Sequence, residues 1–165
     1  MTLPWPINVT VQTLQQIVAS VAAGWHVEHL GDGTHDWHWT TPAFDAQRFR
    51  GDGTVTWTVA SADREFENYA ILGDVMIWNL GVGATDTGGS ASANLQITIP
   101  GGYRSVGTVR FPAGYLEDAG TVRRGVVKGN IDQHYVQISH DAGTWSAAAA
   151  GNTSVYFSVI FRVMR

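Results

Sequence analysis

Ser154-Val155-Tyr156-Phe157-Ser158-Val159-Ile160-Phe161-Arg162-Val163-Met164 is the stretch that decides the fold. Successive side chains of a strand point to opposite faces. Val155, Phe157, Val159, Phe161 and Val163 therefore make one apolar face. Tyr156, Ile160 and Met164 make the other face largely apolar as well. A strand that is apolar on both sides is covered on both sides. In a small sandwich one face meets the core, and the other is left for a neighbouring subunit.

Working outward, the same alternation recurs. Val55, Trp57 and Val59 oppose Thr54, Thr56 and Thr58, and Leu95, Ile97 and Ile99 alternate with Gln96 and Thr98. Tyr69 to Leu72 and Val75 to Val82 flank Gly73-Asp74, the chemistry of a hairpin turn. Pro100-Gly101-Gly102 ends one strand, and Asp141-Ala142-Gly143 reads as a turn. Val106 to Phe111, Thr121 to Lys128 and Gln133 to Ser139 read as further strands. Thr85 to Ala93 is small and polar and reads as a mobile loop. About eight short strands predict an all-β, jelly-roll-like antiparallel β-sandwich with a short N-terminal helix.

That helix is expected over Val11 to Ala23, after a Pro-flanked Trp5 and a capping Thr10, with Gly24 as its stop. Val11, Leu14, Val18 and Val21 follow alternating spacings of three and four, the seam of a coiled coil. So short a helix is marginal alone. It docks on its own domain or on other copies, and the narrow seam favours the second. The expected organisation is an attachment and assembly segment at 1–25, a His- and aromatic-rich connector at 26–48 and a sandwich head at 49–165.

Composition excludes several classes. Hydrophobic residues make up 44% of the 165, enough for a core, while charged residues are only 15%. The net charge is −4 and Lys+Arg number only 10, which argues against nucleic-acid binding. Without cysteine there is no disulfide framework, thiol catalysis or Cys-based zinc site. No apolar run is long enough for a membrane span, and Met1 to Pro6 lacks the features of a secretory signal. Release by cell lysis fits a protein that acts outside a cell.

Four segments together resemble a known family. Tyr69-Ala70-Ile71-Leu72-Gly73-Asp74-Val75-Met76-Ile77-Trp78 resembles the Gly-Asp hairpin of phage tail-fibre and baseplate-appendage head domains. Ile99-Pro100-Gly101-Gly102-Tyr103-Arg104 is similar to the segment that follows it there. Phe49-Arg50-Gly51-Asp52-Gly53-Thr54-Val55-Thr56-Trp57-Thr58-Val59 resembles their first strand, and Gly31-Asp32-Gly33-Thr34-His35 their upstream connector. The likeness runs over residues 29 to 165. It implies a trimeric β-sandwich knob on a virion, attached through its N-terminus to a capsid or tail protein. The start at Met1 with one short helix favours a separately docked appendage or capsid decoration protein as much as a fibre tip.

Candidate chemistry is sparse. His26, His29, His35 and His38 cluster in the connector, but their spacing matches no zinc pattern, and packing explains them better than a metal. No cofactor is expected. Neither a G-x-S-x-G elbow nor a zinc-protease motif occurs, and no pair of carboxylates stands out as a glycosidase dyad. The chain reads as non-enzymatic. Arg50-Gly51-Asp52 is an integrin-type tripeptide, and here it reads as an ordinary turn. Seven Trp is a high number, and Trp37, Trp39 and Trp145 are the candidates for stacking on a host-surface glycan. Burial is the competing reading for each. Segments 85–92 and 143–152 are expected to form the loop tips that meet a host. A carbohydrate-binding module of a cellular protein is the alternative to the virion appendage.

Overall fold

The computed structural model describes residues 38–165 apart from Ala148. The expected helix with Trp5, Val11, Leu14, Val18 and Val21, together with His26, His29, His35 and Trp37, lies outside the described residues. Trp39–Arg165 forms one compact unit, so the last part of the connector belongs to the sandwich body.

Within it the chain runs through β1 (Phe49–Gly51), β2 (Val55–Thr58), β3 (Arg64–Leu72), β4 (Val75–Gly89), β5 (Leu95–Thr98) and β6 (Arg104–Ser105). It continues through β7 (Val109–Pro112), β8 (Tyr115–Asp118), β9 (Thr121–Arg123), β10 (Gly125–Gly129), β11 (Tyr135–His140) and β12 (Ala149–Met164). All pairings are antiparallel. A 5-stranded sheet has the order β1-β5-β11-β10-β7, and a 7-stranded sheet has β2-β4-β12-β8-β9 with β3 on β4 and β6 on β12. The fold is an all-β antiparallel sandwich, as the alternation predicts.

The long β4–β12 pair is the spine of the larger sheet. Its inward residues Met76, Trp78, Leu80, Val82, Val155, Phe157, Val159 and Phe161 join Leu95, Ile97, Val127, Val136 and Ile138 of the other sheet in one buried core. Trp78 meets Phe157 edge-on at 5.0 Å, and Phe49 meets Trp57 likewise at 5.4 Å. Edge-to-face pairs match the positive ring rim to the negative face. The β3–β4 hairpin closes at Gly73, φ +59, whose freedom at the first central position suits the right-handed strand twist.

Three expectations are corrected. Thr85–Ala93 is not a loop as a whole, because β4 continues to Gly89. Its threonines are buried yet satisfied: Trp57 Nε1 donates to Thr85 Oγ1 at 2.8 Å, and Thr85 Oγ1 donates to the Thr153 carbonyl at 2.7 Å. Thr121–Lys128 is not one strand, because the chain crosses between sheets at Arg124. Gly125 permits the crossing: a Cβ there would stand 2.2 Å from Leu116 Cδ1 and 2.4 Å from the Ser139 carbonyl oxygen. Third, Trp145 is 0% exposed. It docks by its backbone N–H on the Ser92 carbonyl (2.7 Å) and by Nε1 on the Ile138 carbonyl (2.9 Å).

Two buried polar groups lock the sandwich. Arg48 donates to Glu67 through Nη1 (2.9 Å) and Nη2 (2.5 Å), a bidentate fork. Glu67 also accepts from Trp78 Nε1 at 3.2 Å, and Arg48 reaches the Thr98 carbonyl of the opposite sheet. Elsewhere His140 packs edge-on against Trp145 at 4.5 Å, with its Nε2 3.5 Å from Asp118 Oδ2. Asp118 in turn accepts from the Ser146 N–H and hydroxyl. Burial lowers the His140 pKa below its usual 6.5, against the opposing pull of Asp118.

Two outcomes are expected. Glu67→Gln leaves the Arg48 charge buried without its counter-charge, at roughly 3 kcal/mol in urea unfolding; a loss under about 1 kcal/mol contradicts this pairing. For His140 the folded pKa is the lower one, so the unfolded chain binds the proton first as pH falls. Its share of stability is full above about 6.5 and lost in the window just below. Melting curves from about pH 7 to about pH 5 are therefore expected to fall less steeply for His140→Gln than for the parent. Parallel slopes would refute the assignment.

Candidate functional site

Alternation fixes what the larger sheet shows to solvent. Along β3, β4 and β12 the outward residues fall into cross-strand rows. Leu72, Val75 and Arg162 form the first row, and Ala70, Ile77 and Ile160 the second, in which Ala70 is itself buried. Asn68, Asn79 and Ser158 form the next, with Asn79 Nδ2 donating to Asn68 Oδ1 at 2.8 Å. Phe66, Gly81 and Tyr156 form the last, extended by Tyr115 of β8. The face is thus mostly apolar at one end, bordered by the Arg162–Asp74 ion pair, amide-bearing in the middle and aromatic at the other end. Ile160 is 55% exposed in the apolar row.

Beyond the aromatic row the regular ladder breaks. β12 and β4 slip in register between Ala149 and Thr153 and again between Thr153 and Val155, and β3 slips on β4 between Arg64 and Phe66. Such irregularities bend a strand and re-aim side chains, as bulges do. Ala84 sits at φ +55, and Gly151 at φ +64 donates its N–H to the Asp86 carboxylate. A non-glycine residue in this region is strained, and such strain collects at working sites.

The irregularities surround a depression of about 340 Å³ lined by Asp63, Glu65, Glu117, Ser154, Tyr156 and backbone at Gly83. This volume is at the small end of ligand clefts. Tyr156 donates its hydroxyl to Glu65 Oε1 at 2.5 Å. Ser154 Oγ donates to Glu117 Oε2 at 3.1 Å, and Tyr115 donates to the same oxygen at 3.4 Å. Burial and the Glu65 hydrogen bond push the Tyr156 pKa up to about 12, so its phenol stays protonated. Gly83 leaves the room, since a Cβ there would lie 2.7 Å from the Tyr156 hydroxyl and 2.8 Å from Glu65 Oε1. Phe66 leans over Gly81 and stands 6.1 Å from Tyr156, and Tyr115 meets Tyr156 at 5.7 Å. Phe66 is 42% and Tyr115 38% exposed, so ring surface is open beside Tyr156. Among the described residues none of these carboxylates is in an ion pair, and no group of three or more His, Cys, Asp or Glu is placed to hold a metal.

The candidates taken from the sequence are not gathered here. Trp145 is buried and unavailable to a ligand, Trp39 is 44% exposed, and Trp37 lies outside the described residues. His38 is at the exposed start of the described chain. Reading the sequence missed Phe66, Tyr115, Tyr156, Glu65 and Glu117. The available signal was the parity of Tyr156 in the last strand, opposite to its core-facing neighbours.

Ala84→Gly is expected to relieve the strained backbone and stabilise the fold by roughly 1 kcal/mol. An unchanged or lower Tm would mean that this backbone carries no strain. Comparison with protein-family models, with curated proteins and with solved structures finds no match for this chain.

Proposed function

We propose that the chain is a non-enzymatic structural protein of a virion. It acts as the head of a homotrimeric appendage, a tail-fibre knob or a capsid decoration, attached through its N-terminus and turned toward the host surface. The reading is supported by the resemblance of its hairpin and Pro-Gly-Gly segments to phage head domains. The observation that carries self-association is the outward face of β12. Its core side is fully covered, yet Ile160 stands exposed beside Ile77, on a stretch of β12 that pairs with β4 alone. An exposed isoleucine continuous with part-exposed Ile77, Val75 and Leu72 suits a contact with another copy. Burying one isoleucine contributes about 1.5–3 kcal/mol, and every subunit of a ring supplies its own copy. The depression beside the aromatic row favours the second reading, a monomeric carbohydrate-binding module.

Light scattering on the full chain after size exclusion separates the two. A particle of three times 17.9 kDa is expected. Ile160→Arg is expected to convert it to a folded monomer with unchanged circular dichroism. A parent chain that stays monomeric at high concentration would overturn the trimer.

A further inference from the structure

We propose that the depression bounded by Glu65, Glu117 and Tyr156 is a binding site for an uncharged saccharide. Sugars need an aromatic face for their C–H surface and fixed polar groups for their hydroxyls. Tyr156 lies in the lining with the carboxylates, and Phe66 and Tyr115 flank it just outside. Phe66 and Tyr115 are part-exposed beside the lining residue Tyr156, tilted 50° and 75° to it. The floor is rich in acceptors, with Asp63, Glu65 and Glu117 around it.

The groups that already engage these carboxylates indicate what they take. Glu65 accepts a phenol hydroxyl, and Glu117 accepts two hydroxyls, from Ser154 and Tyr115. Ionised carboxylates have about four lone-pair positions, so each keeps acceptor capacity for further O–H donors. No Lys or Arg lines the depression, so an acidic sugar would meet only like charge. The rings meet at an angle beside the depression, so a ligand that reaches past Tyr156 meets aromatic surface.

The site is independent of the self-association reading. Its aromatic row is separated from Ile160 by the Asn68–Asn79–Ser158 row, so a trimer built on the apolar end leaves the depression at its rim.

A broad glycan array probed with the full chain, followed by titration calorimetry of its hits, tests the proposal. Sialylated glycans and spermidine serve as the anionic and cationic comparators. Uncharged glycans are expected to bind, with Kd near 1 mM or tighter, little affected by salt. Phe66→Ser and Glu117→Gln are each expected to weaken binding roughly tenfold or more. Phe66 lies at the surface, so its loss leaves the fold intact, which circular dichroism verifies. Ile131→Ser, an exposed position outside the lining, and the Ile160→Arg monomer are expected to bind as the parent does. Three results would overturn the proposal: no uncharged glycan on the array, a preference for spermidine that salt abolishes, or binding lost in Trp39→Ala and kept in Phe66→Ser.

Discussion

The antiparallel pairing of β4 with β12 is the constraint from which both surfaces of the larger sheet follow. Val155 opposite Val82, Phe157 opposite Leu80 and Val159 opposite Trp78 put the large side chains on the core side. The intervening pairs, Tyr156 with Gly81, Ser158 with Asn79 and Ile160 with Ile77, are thereby sent outward. A slip of one residue would exchange the two sets. Burial of Trp78, Leu80 and Phe157 fixes the register, and the outward rows are its consequence.

The same pairing explains why the two ends of the outer face differ. Toward the β3–β4 turn the ladder is regular, neighbours lie close, and branched side chains form a flat apolar patch. Toward Thr153 the register slips and Ala84 takes a strained conformation. Irregular strands cannot keep a flat face, and the depression opens there. Glu65, set beside the β3 slip, is carried to the Tyr156 hydroxyl, while Glu67 two residues on points inward to Arg48. One short strand segment thus supplies a core ion pair and a surface acceptor.

Much of the fold was legible in residue order. Alternation and turn chemistry are local properties, so the β3–β4 hairpin and the two-faced last strand could be read directly. The errors came where partners far along the chain decide. Thr85 and Thr87 look like loop residues until Trp57 and Thr153 take up their hydroxyls. Trp145 follows a turn, yet Ser92 and Ile138 pull it inside. The aromatic and acidic groups of the depression come from β3 and the turn before it, β8 and β12, and only the strand order juxtaposes them. No spacing along the chain encodes that meeting.

The proposed self-association requires the apolar end of this face to be covered in the assembled protein. Hydroxyl-radical footprinting of the full chain, at concentrations from dilute to assembled, reads it directly. Ile160, with Met164 on the same side of β12, is expected to become protected as concentration rises, while Ile131 and Val122 stay reactive. Ile160 as reactive as Ile131 at every concentration would contradict it.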